Sequence, residues 1–190
     1  MNNTTGCWAV IPAAGVGKRM GGERPKQYLC LDDTTILEHT LVRFRTHPLI
    51  KGVVVVISKN DRYWPQITLH AAPTQLWVAE GGDERVHSVL NGLAVLQDHA
   101  KEDDWVLVHD AARPCVRSSD INRLIETVVP TSDGGLLAIP MTDTVKRADK
   151  DGKVDATVDR RLLWRALTPQ MYRLGMLQKA LSEALSHNHL

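Results

Sequence analysis

The amino-acid sequence predicts an α/β fold, a mostly parallel twisted sheet flanked by helices, with a protruding β-hairpin arm. Short apolar runs alternate with amphipathic helical stretches along the chain, the pattern that closes into a parallel sheet. Val53–Ile57 is five consecutive β-branched residues, as expected of a central strand buried on both faces. The chain is 190 residues long, with 43% apolar and 24% charged residues, which suits one domain over 1–190 with a sizeable core and excludes a disordered chain.

The elements follow in order. Cys7–Ile11 reads as a buried strand ending in the tight loop Pro12-Ala13-Ala14-Gly15. Thr34 or Thr35 caps a helix carrying Ile36, Leu37, Leu41 and Phe44. After the strand Val53–Ile57 comes a weaker one, Leu76–Ala79, and Gly81-Gly82 then opens a helix with Val89, Leu93, Leu96 and Ala100 on one face. Trp105–His109 is a strand, Ser118 or Ser119 caps a helix running through Val129, and Leu136–Ile139 is a further strand. The polar stretch 144–160 breaks the alternation. Its central Asp151-Gly152, with Val145 before and Val154 and Val158 after, predicts a β-hairpin, with a solvated loop as the alternative. A hairpin so polar buries little of its own surface, so 144–160 is a candidate dimerisation arm. Leu174–Leu185 closes the chain as an amphipathic helix.

Charge and cysteine usage narrow the function. With 23 Lys+Arg against 22 Asp+Glu the formal charge is +1, which disfavours a broadly basic nucleic-acid binder and leaves room for a local basic pocket. No apolar run approaches the roughly 20 residues of a membrane span. Met1–Gly6 is short and polar, without the marks of a signal or transit peptide. Three cysteines without CxxC spacing point to a reducing, cytoplasmic setting, with Cys7 and Cys115 packed inertly beside strands.

Four segments carry residues suited to chemistry. The first is Pro12–Met20 followed by Pro25-Lys26-Gln27-Tyr28. No Ser or Thr follows Lys18, so this is not a Walker A loop, and Met20 stands where the dinucleotide fingerprint needs its last glycine. Small residues after a strand still let backbone N–H groups approach an anion, and Arg19 and Lys26 add cationic donors. The second is Gly81–Arg85 with Ser88, where Asp83 and Ser88 can read a base edge; a simple helix cap by Asp83 is the alternative. The third is His109–Pro114, in which Asp110 sits at a strand's carboxyl end, where such folds hold a metal or orient a substrate hydroxyl; a satisfied loop cap is the equal alternative. His109 alternates away from Asp110 and is assigned a structural role. The fourth is Thr157–Arg160 with Leu167–Gln170, in which Arg160 and Thr168 can grip a phosphate, or Arg160 can belong to a charged face.

In this order, from about Val10 to about Leu181, these segments resemble the 2-C-methyl-D-erythritol 4-phosphate cytidylyltransferases of the non-mevalonate isoprenoid pathway. The resemblance implies a Rossmann-like nucleotidyltransferase fold and an enzyme that joins CTP to methylerythritol phosphate, releasing pyrophosphate. It implies nucleotide contacts from Ala13, Ala14, Gly15, Gly17, Gly82, Asp83 and Ser88. It assigns charge stabilisation to Arg19 and Lys26, and places Asp110, Thr144, Arg160 and Thr168 around the methylerythritol phosphate substrate. Arg160 is also placed among the catalytic residues. Mg²⁺ is the implied cofactor, expected mainly on the CTP phosphates, since no residue group has metal-site spacing. A homodimer is implied, with the arm crossing to the second subunit.

Family members continue for several dozen residues past the point matching Leu190, with a Thr-Asp-Glu-Ala stretch and an Ile-Lys-Val-Thr segment whose lysine helps hold the substrate phosphate. Neither lies within these residues. The alternatives are therefore an inactive truncated nucleotide-binding fragment, or a pentitol-5-phosphate cytidylyltransferase sharing the loop and Lys26.

Overall fold

The computed structural model describes residues 6–15, 24–69, 72–131 and 134–187. Its centre is a sheet of six strands in the order β5-β4-β1-β6-β10-β7. Here β1 is Cys7–Pro12, β4 Ile50–Ile57, β5 Gln75–Glu80, β6 Trp105–Val108, β7 Gly135–Pro140 and β10 Trp164–Arg173. Strands β5, β4, β1 and β6 run parallel, with Val10 of β1 paired to Val54 on one side and Val108 on the other. The carboxyl ends of these four strands therefore share one edge.

Both faces of the sheet are covered, which is why its central strands read as continuous apolar runs rather than alternating ones. Ala9, Ile11, Val53, Val55 and Leu107 face helices α1 (Ile36–Arg45) and α3 (Ser118–Val128). Their neighbours Val10, Val54, Val56 and Val106 face α2 (Arg85–Leu96) and α4 (Leu174–Ser186). Val53, Val54, Val55 and Val56 are fully buried, each contributing about 1.5–3 kcal/mol by removal from water.

Several boundaries follow the sequence closely and others differ for local reasons. Thr35 caps α1 through a reciprocal capping box: its Oγ1 accepts from Glu38 N at 3.2 Å, and its own N–H donates to Glu38 Oε2 at 2.8 Å. The cap of α2 is Glu84 rather than Asp83, and α3 is preceded by Arg117 with Ser118 already helical; neither has a side-chain cap bond. Ala100 lies beyond the end of α2 yet still packs on its side of the core. Cys7 is buried, and burial together with Asp104 pushes its thiol up to about 11. Cys115 is exposed, against expectation, because it lies in the loop between β6 and α3 rather than against a strand.

The strand β10 was not expected. It runs antiparallel between β6 and β7, making the sheet mixed. Its Pro169 breaks a strand pattern because it cannot donate to a ladder. Here Pro169 falls in the register shift between Ala166 and Gln170, where regular pairing lapses. The stretch 144–160 is indeed a hairpin, β8 (Val145–Ala148) against β9 (Val154–Val158), as a two-stranded sheet of its own. Gly152 takes φ +79° in its turn, a region that disfavours residues with a Cβ. A small pair, β2 (Cys30–Leu31) with β3 (Thr34–Thr35), leads into α1.

Candidate active site

The carboxyl edge of the parallel strands gathers described residues of the first three sequence segments together with Thr168 of the fourth. As β1 ends, Ala13 N–H donates to Val56 O at 2.7 Å, continuing the ladder with β4 one residue past the strand. The turn then leaves the sheet. Its carbonyls are held from outside: Gln27 Nε2 donates to Ala13 O at 2.6 Å and to Gly15 O at 2.9 Å, and Ser58 Oγ donates to Ala14 O at 2.9 Å. Gln27 belongs to the single helical turn Lys26–Tyr28 and is 6% exposed, so Lys26 is seated directly beside this clip. Tyr28 anchors the same turn through its hydroxyl, which donates to Asp61 Oδ2 at 2.8 Å.

The segment after β5 closes against the first. Gly81 N–H donates to Ile57 O at 2.7 Å, and a Cβ on Gly81 would collide with that of Ala14 and press on Ser88 Oγ. Only a glycine permits this approach of the two loops. Gly82 N–H donates to the buried Ser88 Oγ at 3.3 Å, so Ser88 organises the turn from one helical turn inside α2. Asp83 lies exposed in the bend before α2.

After β6, Asp110 brings two guanidiniums to the edge. Its Oδ1 accepts from Arg85 Nη2 at 2.9 Å and its Oδ2 from Arg113 Nε at 2.8 Å, while its N–H donates to Thr168 Oγ1 at 3.3 Å. Partial burial works to raise the Asp110 pKa, but the two guanidiniums outweigh it and hold the carboxyl below its ordinary range. Arg85 is the first residue of α2, so this pair ties the Gly81–Ser88 segment to the strand end that carries Asp110 and Thr168. Behind it, a cavity of about 320 Å³ opens between α2, β6, β10 and α4, with Arg85, Val89, Val108 and Gln170 in its wall. His109 is structural, as expected. It is fully buried against Phe44, its Nε2 lies 2.9 Å from Arg113 O, and burial lowers its pKa.

Thr144 and Arg160 are placed differently. Thr144 precedes β8 and Arg160 follows β9, so they flank the base of the hairpin, both exposed. Arg160 Nη1 donates to Thr142 O within its own arm. Among the described residues neither bonds to Asp110 or Thr168. Gly17 and Arg19 lie outside the described residues. The sequence reading gave no separate role to Gln27, Arg85 or Arg113, although all three stood inside the quoted motifs. Ser58 carried no signal beyond following a strand. Among the described residues no group of three or more His, Cys, Asp or Glu is arranged to hold a metal ion, and no helix is long and apolar enough to cross a membrane.

The chain is 55% identical over 179 residues to the 2-C-methyl-D-erythritol 4-phosphate cytidylyltransferase of Pseudomonas putida F1, covering 94% of this chain and 76% of the relative. The enzyme of the same name from Pseudomonas aeruginosa PAO1 is 52% identical with the same coverage. The crystal structure of the Francisella tularensis enzyme superposes with a TM-score of 0.79 at 41% identity, covering 96% of this chain and 79% of that one. The family model of 2-C-methyl-D-erythritol 4-phosphate cytidylyltransferase (IspD) matches residues 7–189, the span that contains every segment of this edge, and the chain belongs to that family.

Proposed function

We propose that the carboxyl edge of the sheet is where this chain transfers the cytidylyl group of CTP to 2-C-methyl-D-erythritol 4-phosphate, in isoprenoid precursor biosynthesis. The family gives the reaction. The observation that supports its location is the meeting of the Ala13–Gly15 turn, the Gly81–Ser88 segment and the Asp110–Thr168 pair on one edge. An oxygen of the acceptor's phosphate bonds to the α-phosphorus of CTP, the bond from that phosphorus to the bridging β-phosphate oxygen breaks, and pyrophosphate leaves with the electron pair. The product is 4-diphosphocytidyl-2-C-methyl-D-erythritol.

The chemistry asks little of a general base. A phosphate monoester has its second pKa near 6, so its oxygen is already an anionic nucleophile at neutral pH. The barrier is the approach of one anion to another, which positioning and charge compensation lower. In this reading Ala13, Ala14, Gly15 and Gly17 surround the nucleotide, and Gly82, Asp83 and Ser88 meet cytosine. Lys26 and Arg19 offset charge on the triphosphate. Asp110 and Thr168 orient the acceptor, and Thr144 and Arg160 grip its phosphate. Mg²⁺ supplies further charge compensation when bound. Asp110 is engaged by two guanidiniums, so it suits a substrate hydroxyl better than a first metal ligand, and the ion is assigned mainly to the triphosphate oxygens.

The arm and its surroundings expose Val154 (65%), Leu162 (88%) and Trp164 (60%), an apolar set that fits burial against a second copy of the chain. A homodimer would deliver one subunit's Thr144 and Arg160 to the other's edge. Three free thiols fit a cytoplasmic location. The test is pyrophosphate release from CTP and Mg²⁺ with methylerythritol phosphate, with ribitol 5-phosphate in parallel. Release with methylerythritol phosphate alone is expected. Release with ribitol 5-phosphate alone would transfer the assignment to pentitol phosphates, and CTP binding without release from either would leave a nucleotide binder.

A further inference from the structure

We infer that Gln27 is a positioning residue: its carboxamide, together with the Ser58 hydroxyl, turns the Ala13–Gly15 backbone so that the N–H groups of Ala14 and Gly15 face the nucleotide phosphates. The inference rests on the reading that this turn holds the nucleotide. Three successive carbonyls, those of Ala13, Ala14 and Gly15, are each taken by a side-chain donor from another part of the chain. In a planar trans peptide the C=O of one residue and the N–H of the next point in opposite directions. Drawing the carbonyls of Ala13 and Ala14 back into the protein therefore turns the N–H groups of Ala14 and Gly15 the other way. Successive N–H groups presented on one side form an anion-binding concavity.

The chemistry at Gln27 admits one orientation. Both partners are carbonyl oxygens, so the end of the side chain that meets them is the NH₂ group, whose two hydrogens match two acceptors. A carboxylate of the same shape would face two acceptors with none of its own to give. The Ala13 end of the clip is shielded from water: Gln27 is 6% exposed and Ala13 2% exposed, so loss of the donor leaves Ala13 O without its partner away from water. Lys26 precedes Gln27 in the same turn, so the clip sets the backbone that carries the proposed phosphate cation as well. One buried amide thus holds both sides of the triphosphate site in register.

The test compares CTP affinity with thermal stability across a small set of variants, using calorimetric titration of Mg²⁺–CTP into the full chain. Gln27→Met keeps the volume and removes the donor. Its CTP dissociation constant is expected to rise about tenfold or more, since binding must then order the turn as well as contact it. Gln27→Asn keeps an amide one methylene short and should lie between wild type and Gln27→Met. It also serves if Gln27→Met does not fold. Ser58→Ala should move affinity in the same direction. Gly15→Val examines the underlying reading: a Cβ at Gly15 meets nothing within 4 Å among the described residues, and the added bulk lies on the turn assigned to the nucleotide. Trp8→Phe controls for stability, because it removes the bond from Trp8 Nε1 to Asp104 Oδ2 at the opposite edge of the sheet.

Weaker CTP binding in Gln27→Met and Gly15→Val, with Trp8→Phe binding as wild type, supports the inference. Weaker binding in Gly15→Val with unchanged affinity in both Gln27 variants overturns it and leaves the nucleotide reading standing. Unchanged affinity in Gly15→Val removes that reading, and the inference with it. A loss of affinity that follows the loss in melting temperature across all variants, Trp8→Phe included, makes Gln27 merely structural.

Discussion

At the scale of single residues, Lys26 and Asp110 occupy opposite electrostatic roles. Lys26 sits beside a buried clip and, among the described residues, forms no ion pair with a carboxylate, so Lys26→Ala should lower turnover by more than about tenfold, the size of a lost electrostatic contact to the transition state. Steady-state pyrophosphate release measures it, and turnover near wild type would remove Lys26 from the mechanism. Asp110 is held ionised by Arg85 and Arg113, and its lowered pKa has a consequence for stability. A carboxyl whose folded pKa lies below its unfolded value contributes stability that is present above the unfolded value, about 3.9, and lost as pH falls through the folded one. Arg85→Ala should therefore destabilise the chain by about 0.2–1 kcal/mol at neutral pH, as for partly exposed pairs, and by less below about pH 4. Denaturant melts at the two pH values check this, and NMR titration should find the Asp110 pKa higher in the variant.

The same logic applied to whole elements separates what the sequence reveals from what it hides. Strands β1 and β4 are legible because residues buried on both faces leave an unbroken apolar run, and α1 because Thr35 and Glu38 stand at capping-box spacing. Thr35→Ala should cost about 1 kcal/mol in a denaturant melt, with site chemistry intact. An unchanged midpoint would mean that α1 is held by packing alone. Strand β10 is hidden because its pattern is interrupted by Pro169, and the interruption is tolerated only because the register lapses there, a fact of tertiary pairing. The caps of α2 and α3 elude the sequence for a related reason: the cap residues Glu84 and Arg117 make no side-chain cap bond, so neither Asp83 nor the serines near Ser118 were needed. The site shows the same division. Asp110 and Ser88 are legible from their position after a strand and inside a helix start, whereas the clip by Gln27 and Ser58 joins residues far apart in the chain and exists only once β1 and β4 are adjacent.

For the molecule as a whole, the arm is the element that its own contacts explain least. A two-stranded hairpin is marginal in water by itself. This one is held by cross-strand pairing and exposed polar contacts such as Arg147 to Asp155 at 2.8 Å, worth little in solvent. Yet it carries Val154 and is followed by Leu162 and Trp164, whose exposure is hard to reconcile with a face left in water. It also carries Thr144 and Arg160, which within one chain make no bond to Asp110 or Thr168. Both features are accounted for if the arm of one subunit completes the acceptor site of another. The chain should then run as a dimer in light scattering coupled to size exclusion. Val154→Lys with Leu162→Glu should shift it toward monomer while the melting of the main domain changes by less than about 0.5 kcal/mol, as for surface substitutions. Because the acceptor site is then incomplete, the monomeric variant should lose affinity for methylerythritol phosphate and retain it for CTP, whose proposed contacts lie within one chain. A monomeric variant that uses both substrates as the wild type does would show that Thr144 and Arg160 act, if at all, within their own subunit.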